Sequence, residues 1–342
     1  MNEIMTNTLI NTPTLTKRDF ETSQEVRWCP GCGDYAILAS MQKVLSTLNI
    51  LQEKMAIISG IGCSSRFPYY MNTYGFHTIH GRAPTIATGL SISRPDLTLM
   101  VVTGDGDGLS IGANHLLHLM RRNVNVTVLL FNNRIYGLTK GQTSPTSEFG
   151  KTTKSSPQGT QEPPLEALQL ALASDCSFIG RAIDVDGPNL QKVLAAAIAH
   201  QGTSLVEIYQ NCNVFNDGAF NDISDRRVRA EHTVFAEPNQ PLVYGNARHL
   251  GLALVDQHFQ SITLADSAMS PYLHRGDACS SILWKLTQLQ RPDFPVVTGI
   301  LRQVQRPTYA ELVAQAQPCK TEPAQLNDLT QLLHSGHTWE VK

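Results

Sequence analysis

The chain has 342 residues, of which 42% are hydrophobic and only 16% are charged. At roughly 150 residues per domain this length allows about two domains, and the low charged fraction argues against a disordered chain or a coiled coil. The chain has 27 lysine and arginine residues and 29 aspartate and glutamate residues, which gives a net charge of -2. It therefore lacks the excess of positive charge that is typical of nucleic-acid-binding proteins. No apolar run approaches the roughly 18 residues that span a bilayer, and residues 1–16 lack the basic start and apolar centre of a signal peptide. We therefore expect a cytoplasmic protein that binds neither nucleic acid nor a membrane, with residues 1–24 as an N-terminal tail.

Beyond the tail, helix-like and strand-like segments alternate. The predicted segments are a helix at 35–48, strands at 55–59 and 97–103, a helix at 109–120 and a strand at 124–131. A run rich in Thr, Ser, Pro and Gly at 142–164 then predicts a long loop, and loops of this length are usually functional or mobile.

The alternation resumes after the loop. It predicts a helix at 165–174, a strand at 178–184, a helix at 189–200 and a strand at 204–209. Strand sequences such as LTLMVV and VNVTVLLF are continuously apolar, which is typical of parallel strands buried on both faces. The pattern predicts an α/β fold, a mostly parallel sheet with helices on both faces, over residues 25–220. Residues 221–342 lose this rhythm and predict a C-terminal extension with short strands at 241–244 and 296–301 and a helix at 280–289.

Two polar turns follow neighbouring strands of this predicted sheet. Asp105 lies between Gly104 and Gly106 directly after a buried strand, and Asn132 and Asn133 end the next strand, with 25 residues between Gly106 and Asn132. The carboxyl ends of parallel strands share one edge of a sheet, where α/β proteins bind ligands. A carboxylate and an amide oxygen there, together with diphosphate oxygens, suit a hard divalent cation. The alternative for either motif alone is an ordinary turn, but the pair resembles the signature of thiamine diphosphate enzymes. That resemblance implies that Asp105, Asn133 and the carbonyl of Ile135 hold Mg²⁺.

Four cysteines form a second candidate site. Cys29 and Cys32 make a CxxC pair before a predicted helix, Cys63 follows a strand in GIGCSS, and Cys212 follows the last predicted core strand. Four thiolates complete a site for a [4Fe-4S] cluster or for zinc, whereas the alternative for Cys63 and Cys212 is that of small buried residues. Oxidative thiamine chemistry needs a one-electron acceptor, which zinc is not, so we favour the cluster. The remaining cysteines, Cys176, Cys279 and Cys319, are interpreted as structural.

Six ordered motifs together resemble the β subunits of 2-oxoacid:ferredoxin oxidoreductases, most closely the 2-oxoglutarate type. They are WCPGCGDYAIL, SGIGCSSRFPYY, HTIHGRAPTIATGL, VVTGDGDGLSIG, FNNRIYGLTKGQTSPT and NCNVFNDGAF, and FPVVTGILRQVQRPTYAEL matches more loosely. The resemblance implies that Cys29, Cys32, Cys63 and Cys212 bind one [4Fe-4S] cluster. It also implies that thiamine diphosphate is lined by Ile61, Gly62, Cys63, Ser64, His80, Gly104, Asp105, Gly106, Asp107, Gly137 and Leu138.

The same resemblance implies residues for catalysis and substrate binding. His80 is expected to line the cofactor and to be catalytic, and Arg66 and Lys140 resemble the two cations that meet the substrate carboxylate. Position 66 is often lysine in the family, and arginine keeps the charge but binds a carboxylate through two N–H groups, so the resemblance implies the reaction more firmly than the substrate.

The implied activity is the conversion of 2-oxoglutarate, CoA and oxidised ferredoxin to succinyl-CoA, CO₂ and reduced ferredoxin, or the reverse carboxylation. Thiamine enzymes take an activating glutamate from a second α/β domain, and only one such domain fits here, so an α subunit is expected in a dimer of αβ heterodimers. The chain has no ferredoxin-like CxxCxxCxxxC run, which implies an external ferredoxin. The alternatives are the same chemistry on pyruvate or another 2-oxoacid, a non-oxidative decarboxylase with structural zinc, and a non-catalytic metal-binding scaffold subunit.

Overall fold

The computed structural model describes residues 14–317 and 326–339. The strands are β1 Met55–Ser59, β2 Tyr74–His77, β3 Thr98–Gly104, β4 Val126–Asn132, β5 Phe178–Ile183, β6 Thr203–Tyr209, β7 Thr233–Ala236, β8 Val243–Tyr244, β9 Leu250–Val255, β10 His258–Thr263 and β11 Val296–Gln303. The helices are α1 Asp34–Leu48, α2 Ala83–Ser93, α3 Asp105–Leu109, α4 Ala113–Arg121, α5 Ala167–Ala173, α6 Gly187–Ala199, α7 Asn221–Ser224, α8 Arg229–His232, α9 Ser280–Gln288, α10 Tyr309–Ala316 and α11 Leu326–Leu333. Short 3-10 segments lie at Lys17–Phe20, Gln52–Lys54 and Ser64–Tyr70.

The main sheet has eight strands in the order β2-β1-β3-β4-β6-β5-β11-β7. Strands β1 to β6 run parallel to their neighbours, whereas β11 is antiparallel to β5 and parallel to β7. Every residue of β1, β4, β5 and β6 is buried. β1 and β4 are almost wholly apolar, whereas β5 and β6 bury the paired charges of Arg181 and Glu207.

Helices cover the sheet on both faces. Alternate residues of β1 belong to two different hydrophobic clusters: Ile58 packs with α2, α4, α5 and α9, and Ile57 packs with α1 and α6. This three-layer arrangement confirms the predicted fold class.

Most predicted segments are present, but two differ. The helix predicted at 109–120 is divided between α3 and α4, because Ser110 after α3 has the non-helical backbone angles φ -101° and ψ -105°. Strand β2 was not predicted. All four of its residues are exposed at the sheet edge, so they carry no continuous apolar run.

Parts of the predicted tail and extension belong to this core. Phe20 is fully buried, and strands β7 and β11 join the main sheet beyond residue 220. Strands β8, β9 and β10 form a separate antiparallel sheet, whose Leu252 and Phe259 pack in the same hydrophobic cluster as α9. The boundaries at residues 24 and 220 stay predictions.

Residues 14–310 make up one compact unit that contains both sheets, and the described residues from 311 onward belong to another. Cys319 lies outside the described residues, as do residues 1–13 of the predicted tail. Among the helices that the structure describes, none is both long and apolar enough to cross a membrane.

Candidate functional site

A cavity of about 330 Å³ lies at the carboxyl edge of β1, β3 and β4. Its walls are the three turns that follow these strands, together with residues around β2. The structure thereby brings together most of the predicted site residues: Ile61, Gly62, Cys63, Ser64, Arg66, His80, Gly104, Asp105, Gly106, Asp107, Asn133, Ile135, Gly137 and Leu138 all line the cavity. A volume in this range suits a small-molecule cofactor.

Four predicted site residues do not line it. Lys140 is exposed and follows the cavity residue Thr139, with a left-handed φ of 77°. Cys29, Cys32 and Cys212 also lie outside the lining.

Asp105 is held inside the protein by the long loop. Its Oδ2 accepts hydrogen bonds from Ser144 Oγ at 2.5 Å and from Thr146 Oγ1 at 2.6 Å. Burial raises the pKa of this carboxyl to about 6, although the two hydroxyl groups act in the opposite direction. A bound cation would favour the charged form in the same way as these donors.

Asn133 is oriented by residues that follow β6. Its Nδ2 donates to Gln210 Oε1 at 2.8 Å, and its backbone carbonyl accepts from Asn216 Nδ2 at 2.8 Å. The Oδ1 atom accepts from the backbone N–H of Ile135 at 3.2 Å. These contacts fix the amide, so its oxygen stays on the side of the Ile135 turn.

Two glycines permit the close approach of chain segments around the cavity. A Cβ on Gly106 would lie 2.3 Å from the ring of Tyr136, whose hydroxyl donates to the Gly106 carbonyl at 2.6 Å. Gly81 has a φ of +68°, and a Cβ there would lie 2.5 Å from the backbone nitrogen of Gly112. This contact places the neighbouring residue His80 beside the start of α4 and the cavity.

Asp107 ties the same turn to the sheet. It accepts from the Gly81 backbone N–H at 2.7 Å through Oδ1 and from Thr103 Oγ1 at 2.8 Å through Oδ2. A Cβ on Gly60 would overlap Asp107 Oδ2, so glycine is required at that position.

The cysteines predicted to bind a cluster occupy three turns near the cavity. The Cβ position of Gly137 lies 3.4 Å from Cys212 Sγ and 3.8 Å from Cys63 Sγ, and Gln210 Nε2 donates to Cys32 Sγ at 3.2 Å. Burial raises the pKa of Cys63 to about 12. The charge of Asp34 and the nearby thiols of Cys212 and Cys29 act in the same direction. Within residues 14–317 and 326–339, no group of three or more His, Cys, Asp or Glu side chains is arranged as a ready metal site.

Asp34 lines the cavity beside these thiols. It is 1% exposed, and neither carboxylate oxygen has a hydrogen-bond partner in the described part of the chain. Burial raises its pKa to about 7, while the Cys32 thiol beside it acts in the opposite direction. Sequence reasoning missed Asp34, although its position two residues after the CxxC pair could have indicated it.

Arg66 contributes a positively charged side chain to the cavity wall. Its Nε donates to the Tyr70 hydroxyl at 3.0 Å, and its guanidinium lies 5.9 Å from the ring centre of Tyr69. Sequence reasoning also missed other lining residues, namely Tyr69, His77, Phe131, Tyr136 and Thr139.

Comparisons with known proteins agree with this arrangement. Residues 60–208 match the family model described as the thiamine pyrophosphate enzyme, C-terminal TPP binding domain. The matched segment begins before the Cys63 turn and ends in β6, so it contains the strand-end turns that form the cavity walls.

Individual relatives cover the chain more completely. The 2-oxoglutarate oxidoreductase subunit KorB of Mycobacterium tuberculosis is 46% identical, over 96% of this chain and 93% of that protein. The β subunit of 2-oxoacid:ferredoxin oxidoreductase 1 of Aeropyrum pernix is also 46% identical, over 56% of this chain and 60% of that protein.

A solved structure is similar over nearly the whole chain. It is the 2-oxoglutarate:ferredoxin oxidoreductase of Magnetococcus marinus with 2-oxoglutarate, coenzyme A and succinyl-CoA bound, with a TM-score of 0.76, 29% identity, and coverage of 96% of this chain and 98% of that chain. These similarities confirm the resemblance carried by the motifs. The chain carries a thiamine diphosphate-binding domain and belongs to the family of 2-oxoacid:ferredoxin oxidoreductase β subunits.

Proposed function

We propose that this chain is the β subunit of an enzyme that converts 2-oxoglutarate, CoA and oxidised ferredoxin to succinyl-CoA, CO₂ and reduced ferredoxin. The proposal rests on the cavity, whose walls contain the turns of Cys63, Asp105 and Asn133. The chain that forms this cavity is 46% identical to a 2-oxoglutarate oxidoreductase subunit over almost its whole length.

Asp105, Asn133 and the Ile135 carbonyl would hold Mg²⁺ and, through it, the diphosphate of thiamine diphosphate. The residues fit this role because hard cations prefer oxygen ligands and because Asp105 is a buried carboxyl whose charge a cation would stabilise. Thiamine diphosphate, when bound, supplies the nucleophilic carbon and the electron sink for decarboxylation of a 2-oxoacid. The protein contributes the orientation of the metal ligands and a cavity wall that limits access of water.

Cys29, Cys32, Cys63 and Cys212 would bind the [4Fe-4S] cluster. Their fit is supported by the donor set of four free thiols and by the proximity of Cys63 and Cys212 to Gly137. Such a cluster supplies a one-electron acceptor close to the cofactor. Cys63 lines the cavity itself, so the cluster and the cofactor would be neighbours.

Arg66, Lys140 and His80 would meet the substrate. Arg66 and His80 already line the cavity, and Lys140 extends from the turn that forms its rim. Two cations near one site lower the cost of burying the two carboxylates of 2-oxoglutarate. This pairing favours a dicarboxylate over pyruvate, which has only one carboxylate.

The α subunit, CoA and ferredoxin would complete the reaction. The acidic side chains of the cavity lining are Asp34, Asp105 and Asp107, and none of its residues is the glutamate that activates thiamine. We expect the α subunit to supply that glutamate and ferredoxin to receive the electrons.

The direct test is anaerobic purification of the chain with the subunit that co-purifies, followed by viologen-dye reduction with CoA and a panel of 2-oxoacids. The expected result is strongest activity on 2-oxoglutarate and about four iron atoms per chain. Strongest activity on pyruvate would contradict the role given to Arg66 and Lys140. Zinc without dye reduction would contradict the redox function.

A further inference from the structure

His77 is a cavity residue to which neither the motifs nor the proposed function assigns a role. It is the last residue of β2 and lines the thiamine cavity. It also lines an open groove of about 490 Å³, together with Ile79, Arg82 and Ile86. One imidazole therefore faces both the reaction site and an accessible surface.

The hydrogen bonds of His77 favour one neutral tautomer of its ring. Its Nδ1 lies 3.2 Å from the Ser65 carbonyl oxygen and 3.0 Å from Ser59 Oγ, and both serines are fully buried. A carbonyl oxygen only accepts hydrogen bonds, so the contact with Ser65 favours the tautomer in which Nδ1 carries the proton and donates. The lone pair of the neutral ring is then on Nε2, which has no hydrogen-bond partner among residues 14–317 and 326–339.

A proton acceptor at this place has a use in the proposed reaction. Thioester formation from CoA requires its S–H bond to break, since the thiolate and not the thiol is the nucleophile. From this geometry we infer that His77 Nε2 accepts the thiol proton of CoA, an inference that rests on the proposed function.

The proton transfer balances without any other reactant. The S–H bond breaks, an N–H bond forms at Nε2, and the products are a thiolate and an imidazolium whose Nδ1–H still donates to Ser65. Only a proton is transferred in this step, and neither the thiol nor the imidazole is oxidised or reduced. Because His77 also lines the cavity, a water molecule in the cavity takes this proton before the next turnover.

The charged and titratable groups around His77 are compatible with this role. The 3-10 segment Ser64–Tyr70 packs against β2 and contributes Arg66, Tyr69 and Tyr70, while β1 contributes no titratable side chain. The ring of Tyr69 lies 6.0 Å from the imidazole. The segment after β2 contributes His80 and Arg82, and the cavity contributes the acidic groups Asp34, Asp105 and Asp107 and the Cys63 thiol.

The test is His77→Asn in the intact αβ complex, because an asparagine N–H replaces the Nδ1 donor to Ser65 while no base replaces Nε2. Loss of a general base typically lowers the rate by 10²- to 10⁴-fold, so we expect kcat for succinyl-CoA formation at pH 7 to fall by about 100-fold. The KM for 2-oxoglutarate should not change. The deficit should shrink above about pH 8.5, where a free thiol ionises without help.

His258→Asn, at an exposed position on β10, serves as the matched control and should keep wild-type kinetics. His77→Gln is the second variant, since its amide occupies the Nε2 side of the ring without being a base, and it should show the same dependence on pH. Thermal unfolding and thiamine diphosphate titration confirm that each variant is folded and binds the cofactor.

An unchanged kcat in His77→Asn, or a loss of equal size at every pH, would overturn the inference while leaving the proposed function intact. A wild-type complex that forms no succinyl-CoA overturns the proposed function and this inference with it.

Discussion

At the scale of single residues, the site depends on side chains that orient the proposed metal ligands. Thr146 is the clearest case, because its hydroxyl contacts both Asp105 Oδ2 and, at 2.9 Å, Asn132 Oδ1. Asn132 in turn donates to Glu207 Oε1 at 2.8 Å, and Glu207 pairs with the buried Arg181. The orientation of Asp105 is thus linked to β4 and β6 by an uninterrupted set of polar contacts.

Thr146→Val keeps the shape of the side chain and removes these hydrogen bonds. Loss of a partner of a metal ligand typically weakens metal affinity by 10- to 100-fold, so we expect a loss of that size for Mg²⁺ in the presence of thiamine diphosphate. Quenching of intrinsic fluorescence during Mg²⁺ titration measures it. Thr152→Val, at an exposed position in the same loop, is the control, and equal affinities for the two variants would refute the role of Thr146.

At the scale of elements, the end of α6 is joined to β5 by a buried histidine. His200 Nε2 lies 2.8 Å from Ser177 Oγ, which donates to Asn123 Oδ1 at 2.6 Å. Burial lowers the pKa of His200 from 6.5 to about 4. The folded state therefore favours the neutral ring.

This shift predicts how the free energy of unfolding depends on pH. Between pH 6.5 and 4 the unfolded chain binds the His200 proton and the folded chain does not, so the contribution is complete above pH 6.5 and is lost as the pH falls toward 4. At ~1.4 kcal/mol per pKa unit the loss is about 3 kcal/mol. Urea unfolding at pH 7 and pH 4.5 should show a smaller loss in His200→Gln than in the wild type. The same loss in both proteins would contradict the assignment, and His258→Gln is the exposed control.

The loop at 142–164 is anchored at its beginning and exposed at its tip. Ser144 and Thr146 hold Asp105, Glu148 pairs with Arg134 at 2.8 Å, and Lys151 donates to Asn216. The tip closes on itself through backbone hydrogen bonds between Gly150 and Thr160 and between Thr160 and Lys151. No residue of this loop lines the described cavity. From its composition we hypothesise that the loop orders over the substrate.

Shortening the tip tests that prediction without disturbing the anchors. Replacement of residues 153–158 by two glycines should leave thiamine diphosphate affinity unchanged and lower the turnover of 2-oxoglutarate, since a covering loop excludes water from the reaction. Steady-state dye reduction and cofactor titration separate the two effects. Wild-type turnover in the shortened enzyme would refute the hypothesis.

At the scale of the whole molecule, an apolar surface adjoins the cavity. Around β2 and α2, large apolar side chains are exposed: Tyr74 by 61%, Phe76 by 45%, Ile79 by 70% and Ile86 by 45%. Contiguous exposed apolar surface on a folded protein usually marks a protein interface. We interpret this surface as the place where the α subunit completes the site.

Ile79→Glu combined with Ile86→Glu should then reduce co-purification of the α subunit and abolish dye reduction, because charged groups are costly to bury in an interface. Pull-down from co-expressing cells and size-exclusion chromatography measure the effect. Leu273→Glu, at a position 54% exposed in another part of the chain, is the control and should leave the complex intact. An intact complex in the double variant would place the interface elsewhere.

The sequence by itself determined the cavity walls. Cys63, Asp105 and Asn133 each follow a continuously apolar strand, and parallel strands place such turns at one edge whatever the rest of the chain does. Local spacing was therefore sufficient for the fold class and for the position of these turns, whereas the resemblance to the family implied the other predicted residues at this edge.

Only the tertiary structure decided which residues from distant parts of the chain form hydrogen bonds with these turns. Asp105 is held from a loop 39 and 41 positions away, Asn133 is held by Gln210 from 77 positions away, and β7 and β11 join the main sheet from beyond the predicted boundary. His77 lies on an exposed edge strand that leaves no apolar pattern, although its ring faces the cavity. Periodicity reports which residues of one segment share a face, whereas these contacts depend on how separate segments pack, and no local pattern records that packing.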